Sequence, residues 1–290
     1  MIEINNLTKY YRQNRGCEDV NLKINDGEIL GIVGPNGAGK STIIKCMMNF
    51  IKPQFGTVLF DNKRADDETL KATIGYLASE NILYKELKVS EQLAYTERFY
   101  QDDCQKRIRE LVAHFELDLN KHLSELSAGN LKKTAIVCSL MHDPHYIIMD
   151  EASGALDPLM QEQLYQLLKA ERDQGKAIFY STHILSEIKK ICDRVAVIKE
   201  GHIIMQNDVK DFIRSNALKV SVESSNLEWV KGYPIVERQG NSITFMYDGE
   251  ADNLIKTLNQ YSLSRVLIEE ASIEEIFMHY YRKEQDHECD

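Results

Sequence analysis

The sequence predicts an α/β protein built on a parallel, doubly wound sheet, and three observations lead to this prediction. Short apolar stretches such as EILGIV at 28–33 and YIIMD at 146–150 have the length and composition of buried strands. Helical stretches separate them, and strands that alternate with helices favour a parallel sheet with helices on its faces. The 290 residues, 43% of them hydrophobic, suffice for a large core and for more than one domain.

The predicted elements follow from the first residue onward. MIEINNL and VNLKIN alternate in the manner of strands and precede the buried strand EILGIV. The helix IIKCMMNF, the strands GTVLF and ATIGYLA, and a mostly helical block from about Val89 to Leu140 come next. Strands return at HYIIMD, KAIFYSTH and RVAVIKEG, separated by helices near Pro158 and around 185–192. The helical block, taken as about 85–142, is therefore an insertion into the sheet.

After about Arg214 the pattern changes, which predicts a division into domains at 1–214 and 215–290. ALKVSVE, PIVERQG, SITFMYD and SRVLIEE are typical of strands, NLIKTLNQY is helical, and SIEEIFMHYY closes the pattern as a helix before an acidic tail. This is the composition of a small α+β domain. Its last helix carries an apolar stripe at helical spacing, formed by Ile276, Phe277, Tyr280 and Tyr281.

Charge and composition exclude some functions. A net charge of -10 argues against broad binding to nucleic acid, because phosphate backbones attract basic surfaces. The six cysteines show neither a CxxC pair nor a zinc spacing, which suits a reducing cytosol. We expect neither a signal peptide nor a membrane span, since no apolar run approaches the roughly 18–20 residues that a span needs. Any membrane role would then come from a partner.

A glycine-rich segment, GPNGAGKST at 34–42, fits the pattern G-x-x-x-x-G-K-[ST] with a strand before it and a helix after it. Glycine lets the backbone curl until successive N–H groups face a phosphate. Lys40 would reach the β- and γ-phosphates, and Ser41 would hold Mg²⁺. The alternative is a glycine-rich turn without a nucleotide. The predicted ATP-binding residues of this segment are Asn36, Gly37, Ala38, Gly39, Lys40, Ser41 and Thr42.

The strand end YIIMDE supplies the carboxylates that such a site needs. Asp150 would bind Mg²⁺ through water, and Glu151 would orient and polarise the attacking water. His183, in STH after the next strand, lies where the carboxyl edge of a parallel sheet gathers its ligands. A lone histidine is more often structural, and each carboxylate alone could cap a loop. Beside a P-loop in the same chain, the two carboxylates predict a catalytic pair, whereas the assignment of His183 needs the pattern around it.

A second helix start stands in ELSAGNLKK at 125–133. Ser127 is a good N-cap, and Leu131, Ala135 and Ile136 continue with a helical period. A helix start has free N–H groups and a positive dipole end, so it can bind an anion. An ordinary capped helix is the alternative for this stretch.

These motifs, in the order P-loop, S-x-G, Asp-Glu, GALDP and STH, resemble the nucleotide-binding subunits of ATP-binding cassette (ABC) transporters over roughly 1–214. The fold expected from the resemblance is a P-loop ABC cassette with an antiparallel N-terminal β part and a helical insertion. Within the family the chain looks most like ATPases of Gram-positive exporters for peptides and peptide antibiotics, whose separate permease is of the ABC-2 type. The phrase ASIEEIFMHYY in the C-terminal part is similar to theirs. Phenol-soluble-modulin exporters are one candidate.

The resemblance implies further roles for particular residues. ELSAGN corresponds to the family signature, so Ser127, Ala128, Gly129 and Asn130 would cap ATP held by another subunit. His183 in STH would be catalytic together with Glu151 and Lys40. Tyr11 would stack on adenine, with Tyr10 as the alternative, and Asp157 in GALD would contact the partner subunit.

The chain also departs from the family pattern. Ser79 and Glu80 stand where a glutamine usually contacts Mg²⁺ and couples the site to the permease. Ala128 and Asn130 replace a glycine and a glutamine of the signature, and Ala152 replaces a common proline. These departures put the rate of hydrolysis and its coupling in doubt.

The function implied by the resemblance is an Mg²⁺-dependent ATPase that powers export through a multi-span ABC-2 type permease. It would lie at the cytoplasmic face of the cell membrane, bound through the permease. A second ATPase subunit, identical or different, would complete the site, and no nucleic acid would take part. The alternatives are an ABC ATPase in a process other than transport and a subunit that mainly binds nucleotide.

Overall fold

The computed structural model of the chain describes residues 1–12, 14–80, 83–214, 217–224, 227–270 and 275. It divides into two compact units, Met1–Val209 and Lys210–Asp290. The change of sequence pattern after about Arg214 predicts a boundary slightly further along the chain. No helix within the described ranges is both long and apolar enough to cross a bilayer.

The first unit alternates strands and helices along most of its length. Its strands are β1 Ile2–Tyr11, β2 Asn14–Ile24, β3 Glu28–Val33, β4 Phe55–Phe60, β5 Lys63–Arg64, β6 Ile74–Leu77, β7 Tyr146–Asp150, β8 Ala177–Thr182, β9 Arg194–Lys199 and β10 His202–Asp208. Its helices are α1 Lys40–Met47, α2 Val89–Glu97, α3 Gln105–Phe115, α4 Ala128–Leu140, α5 Pro158–Asp173 and α6 Leu185–Ile191.

The central sheet has the strand order β10, β9, β3, β8, β7, β6. The strands from β9 to β6 run parallel, and β10 joins the edge antiparallel to β9. Every residue of β3, β7 and β8 is buried, as expected of parallel strands that are covered on both faces. Val33 pairs with Thr182 and Asp150 with Ser181, so the loops after these strands meet at one edge. The predicted parallel sheet is confirmed.

A second, antiparallel sheet has the order β2, β1, β4, β5. Its apolar side chains share one core with the central sheet and with α1. Ile4 and Phe60 come from this sheet, Ile32 from β3 and Ile44 from α1. This shared core holds the β1–β2 hairpin near the start of α1.

The helices α2, α3 and α4 lie between β6 and β7, as the predicted insertion requires. Both α2 and α3 pack against α4. Leu93, Ile108, Leu111 and Ile136 are buried among them. The insertion therefore has its own apolar packing. The start of α4 lies near the segment that follows β7.

The second unit is a small α+β structure. After α7 Val209–Arg214, which spans the boundary, its elements are β11 Ala217–Glu223, β12 Ile235–Gln239, β13 Ser242–Asp248, α8 Ala251–Leu258 and β14 Arg265–Glu270. The sheet order is β12, β13, β11, β14, with every pair antiparallel. Val220, Phe245 and Leu254 lie in its core.

The predicted last helix and its stripe of Ile276, Phe277, Tyr280 and Tyr281 lie outside the described residues. Glu275 is described, and its carboxylate lies 2.8 Å from the Lys219 Nζ on β11.

Candidate active site

The loop between β3 and α1 is shaped by glycines. Gly39 caps α1 with a φ of 115°, and a Cβ there would lie 2.3 Å from the Gly16 carbonyl oxygen. A Cβ on Gly34 would lie 2.3 Å from the Ile198 carbonyl oxygen. Gly37 has a φ of 83° and open space around it, so it is the backbone conformation that favours glycine there. The loop thus packs closely on two strands and leaves its backbone exposed to a ligand.

Lys40 lies beneath this loop and is 4% exposed. Its Nζ donates to the carbonyl oxygens of Gly34, at 2.7 Å, and Pro35, at 3.1 Å. Burial lowers the pKa of Lys40, while the negative charges of Glu151 and Asp150 oppose that shift. The ammonium and the start of α1 together favour an anion at this point.

A pocket of about 260 Å³ opens over the loop. Its lining combines the loop, the first turn of α1, the β1–β2 hairpin and one carboxylate: Tyr11, Arg15, Gly16, Asn36, Gly37, Gly39, Lys40, Ser41, Thr42 and Glu151. Of the two aromatic candidates from the sequence, Tyr11 lines the pocket, and Tyr10 is not among the described lining residues. Ala38 is buried in the core below the loop.

Arg15 also lines the pocket, although no motif in the sequence predicts it there. Its guanidinium donates to the Glu200 carbonyl oxygen at 3.2 Å and pairs with Glu18 at 3.0 Å. A lone arginine in a hairpin gives no local signal for this position, because only the packing of β1 and β2 near α1 brings it to the pocket.

Asp150 ends β7 and is 3% exposed. Its Oδ2 accepts a hydrogen bond from the Ser41 Oγ at 3.3 Å, and its Oδ1 has no hydrogen-bond partner in the described ranges. Burial raises the pKa of Asp150 and the Glu151 charge adds to this rise, against the lowering effect of the Ser181 and Ser41 hydroxyls and of the Lys40 charge. A buried carboxylate with a free oxygen beside a hydroxyl is a fitting donor set for Mg²⁺, which prefers oxygen ligands.

Glu151 follows Asp150 in the left-handed region, with a φ of 49°. Its backbone N–H donates to the Ser181 carbonyl oxygen at 3.0 Å, which ties this backbone to the end of β8. Such a conformation costs energy in a residue other than glycine and is frequent at functional sites. Here it lets the Glu151 side chain line the pocket.

His183 lies beside Glu151, as their positions after neighbouring strands predict. The His183 Nδ1 is 3.2 Å from the Glu151 Oε1. Both side chains are partly exposed, at 49% for His183 and 34% for Glu151. The pair can hold a water molecule or a phosphate oxygen near the pocket, with the carboxylate as proton acceptor.

The residues of the ELSAGN segment lie at the start of α4. The predicted N-cap is confirmed, because the Ser127 Oγ accepts from the Asn130 N–H at 3.3 Å. Ser127 and Ala128 are exposed, Asn130 is partly exposed, and Gly129 is buried. None of these four is among the described residues that line the pocket.

The GALD segment packs against the start of α4. A Cβ on Gly129 would lie 3.1 Å from the Ala155 carbonyl oxygen and 3.4 Å from the Met160 Sδ. The Asp157 Oδ1 accepts from the Met160 N–H at 2.9 Å, so Asp157 is the N-cap of α5. Its carboxylate retains a second oxygen for another contact.

Ser79 and Glu80 are exposed in the segment that follows β6. Lys132 on α4 reaches this segment, and its Nζ donates to the Ala78 and Ser79 carbonyl oxygens at 3.3 Å each. Lys132 is 3% exposed, and burial lowers its pKa against the opposing charges of Asp150 and Glu151. Lys132 is not predicted as a site residue from the sequence, although a charged residue on the buried side of a helical pattern is a signal for such a position.

The chain is similar in sequence to a known protein family and to individual proteins. The family model described as ABC transporter matches residues 17–154. An uncharacterised ABC transporter ATP-binding protein of Methanocaldococcus jannaschii is 27% identical over 93% of this chain and 98% of its own length. A methionine import ATP-binding protein of Listeria innocua is 34% identical over 73% of this chain and 67% of its own length. The chain spans 65% and 64% of the length of two cyanobacterial relatives.

Solved structures agree with these sequence similarities. A dimeric ATP-binding cassette in a post-hydrolysis state, bound to ADP and Pi, has a TM-score of 0.66 and 27% identity. The similarity covers 72% of this chain and 99% of that one. The first unit of this chain therefore has the fold of an ATP-binding cassette.

Proposed function

The chain belongs to the ATP-binding subunits of ABC transporters, and from this premise we propose that it hydrolyses ATP to drive a separate membrane permease. The observation that carries the proposal is the convergence of Lys40, Asp150, Glu151 and His183 at one edge of the sheet, beside a pocket whose floor is a helix start. The reaction is the conversion of ATP and water to ADP and phosphate.

Each group has a role that fits its surroundings. The Lys40 ammonium and the loop N–H groups bind the phosphates, and Tyr11 faces the same pocket for stacking on adenine. Glu151 orients a water molecule and accepts its proton, while His183 holds the Glu151 carboxylate in place. Ser41 and Asp150 would hold Mg²⁺, which neutralises phosphate charge when it is bound.

We infer that two subunits form each complete site. Ser127, Ala128 and Asn130 are accessible at the start of α4 and lie away from the pocket of their own chain. The dimeric state of the similar cassette bound to ADP and Pi supports a pair of subunits. In a head-to-tail pair, this helix start would meet the neighbour's ATP. Asp157, the N-cap of α5, would then contact the partner across the same interface.

An exposed aromatic cluster in the helical insertion supports a protein partner for the first unit. Tyr84, Tyr95 and Phe99 are 51%, 37% and 69% exposed. Their rings meet edge to face, with centroids 5.2 Å and 5.4 Å apart. Exposed apolar clusters of this kind mark interaction sites. We assign this surface to the permease, which would hold the chain at the cytoplasmic face of the cell membrane.

We further propose that the permease is of the ABC-2 type and exports peptides. The similarity of ASIEEIFMHYY to exporter ATPases supports this direction, whereas the methionine and osmoprotectant import relatives represent the opposite one. Inside-out membrane vesicles that contain the chain and its permease provide the test. With ATP outside, we expect a fluorescein-labelled amphipathic peptide to accumulate in the lumen. Absence of uptake with an intact ATPase rate would contradict export of such peptides.

Hydrolysis is tested by Glu151→Gln, which keeps the shape of the side chain and removes its charge. We expect ATP binding to persist while turnover falls by about 10² or more, since the proton acceptor is lost. Steady-state phosphate release and ATP titration on both purified proteins measure the two effects. Equal turnover would refute the assignment, and no turnover in either protein would favour a subunit that only binds nucleotide.

A further inference from the structure

Glu187 is a buried carboxylate with no role in the mechanism above. It lies on α6 and is 3% exposed. Its Oε2 accepts hydrogen bonds from the Thr182 Oγ1 at 2.7 Å and from the Tyr180 hydroxyl at 3.0 Å. A buried carboxylate is costly unless its partners are well placed. A buried carboxylate that contacts the end of β8 therefore needs a reason other than core packing.

Thr182 connects this carboxylate to the backbone around His183. Its hydroxyl donates to Glu187 and accepts from the Ile184 N–H at 3.0 Å. The two hydrogen bonds bracket His183, because Thr182 precedes it and Ile184 follows it. Glu187 is thus connected, through the Thr182 hydroxyl, to the turn that carries the His183 imidazole.

The His183 ring, which the turn carries, contacts Glu151. The His183 Nδ1 is 3.2 Å from the Glu151 Oε1, and the Glu151 N–H donates to the Ser181 carbonyl oxygen. His183 itself is half exposed, so little packing fixes its ring. The hydrogen bonds of the turn hold the backbone that carries the ring, and the Glu151 carboxylate is the hydrogen-bond partner of the ring itself.

Tyrosine side chains complete the surroundings of Glu187. Tyr180 is fully buried and donates to the carboxylate. Burial raises the pKa of Tyr165, and the nearby Glu187 charge raises it further. Both phenols therefore remain protonated and can act as donors. The Glu187 Oε2 thus accepts from two hydroxyls, whereas its buried Oε1 has no hydrogen-bond partner among the described residues.

We propose that Glu187 is a positioning residue for ATP hydrolysis, holding the Thr182 hydroxyl and thereby orienting His183 toward Glu151. The inference rests on the proposed function of Glu151 and His183. Glu187 touches neither substrate nor water in this role, and it acts only through the turn 182–184.

Two matched pairs of variants test the proposal in the full chain. Glu187→Met keeps the volume and removes the acceptor, whereas Glu187→Gln keeps an acceptor oxygen. Thr182→Val removes the hydroxyl, whereas Thr182→Ser retains it. We expect Glu187→Met and Thr182→Val to lower kcat about tenfold with KM for ATP nearly unchanged, because binding groups are untouched. Glu187→Gln and Thr182→Ser should retain most of kcat.

A double-mutant cycle separates positioning from a general loss of structure. In a His183→Ala background, Glu187→Met should cost no further kcat, since the group it orients is gone. An equal loss of kcat in both backgrounds would overturn the proposal. So would a parallel loss of kcat and ATP affinity that follows the melting temperature.

An NMR measurement makes the test independent of hydrolysis. The Cε1–H resonance of His183, assigned with His183→Gln, should shift in Glu187→Met and keep its position in Glu187→Gln. An unchanged resonance in Glu187→Met would overturn the positioning role even if the protein is an active ATPase. A shifted resonance in a chain without ATPase activity would support the positioning role and refute the proposed function.

Discussion

Helix α1 begins beneath a pocket, whereas helix α4 begins at the surface of the same unit. The cap of α1 is Gly39, which has no side chain to bind the free N–H groups. The cap of α4 is Ser127, whose hydroxyl already accepts from the Asn130 N–H of its own helix. Both starts have the positive end of a helix dipole. They differ in what surrounds them.

The surroundings decide how much of a binding site each helix start contains. The buried ammonium of Lys40 lies at the start of α1, together with the carboxylates of Asp150, which ends β7, and Glu151, which follows it. The start of α4 offers an exposed serine, and Gly129 behind it packs on the backbone at Ala155. This difference supports our proposal that the start of α1 is a nearly complete phosphate site and that the start of α4 is a half-site.

The largest expected effect is the loss of nucleotide binding at α1. Lys40→Met removes the ammonium and keeps the length of the side chain, so ATP affinity should fall by about 10² or more. Ser127→Ala should leave the affinity of the isolated chain within about twofold, because Ser127 does not line its pocket. Calorimetric titration with ATP measures both. Equal losses in the two variants would remove the distinction between the helix starts.

The next effect concerns turnover by pairs of chains. Ser127→Ala and Lys40→Met should each hydrolyse ATP poorly, but a mixed pair retains one interface with both halves intact. We expect partial recovery of ATPase activity on mixing, approaching one wild-type site per mixed dimer, which is half of the two sites of a wild-type dimer. The measurement is phosphate release over a range of protein concentrations, with mixed dimers detected by native mass spectrometry. Mixed dimers without recovered activity would contradict the half-site.

A smaller effect is expected when the second unit is removed. Neither helix start lies in Lys210–Asp290, and that unit carries no phosphate-binding motif. A chain that ends after Arg214 should therefore bind ATP with nearly unchanged affinity. We propose that the second unit steadies or regulates the pair of subunits, so dimerisation measured by light scattering with ATP should change. A folded short chain that cannot bind ATP would refute the division of the domains.

The smallest effect concerns the far end of α4, where His142 follows the helix. Its ring stacks on Tyr100 with centroids 3.9 Å apart, and burial lowers the pKa of His142 to about 4. The pKa in the folded state lies below the usual value of about 6.5, so the unfolded chain binds more protons between these values. Stability linked to His142 is full above about pH 6.5 and is lost as the pH falls toward 4.

His142→Gln isolates this contribution because glutamine does not titrate. From pH 7 to pH 5 the wild type should lose on the order of 1 kcal/mol more stability than the variant. Urea unfolding of both proteins at the two pH values measures the difference. Equal losses of stability in the two proteins would show that His142 is not buried as described. As a control, ATP affinity at pH 7 should be the same in both proteins.

Several parts of the fold and site followed from the sequence because their signals are local. The glycine spacing at 34–42 predicts a loop that packs too closely for side chains, and the structure shows a Cβ on Gly39 in collision with Gly16. Uninterrupted apolar runs predict the buried strands β3 and β7. Ser127 before a helical period predicts an N-cap. In each case a few neighbouring residues determine the conformation.

Other features were decided by the tertiary structure, because they join residues far apart in the chain. Strand β10 was not predicted, since its half-exposed sequence becomes a strand only by pairing with the edge of β9. The choice of Tyr11 over Tyr10 at the pocket depends on the register of the β1–β2 hairpin. Lys132 and Glu187 resemble ordinary helix residues until packing buries their charges. The sequence by itself therefore determined the local conformations and the chemical groups, and long-range packing determined which groups meet.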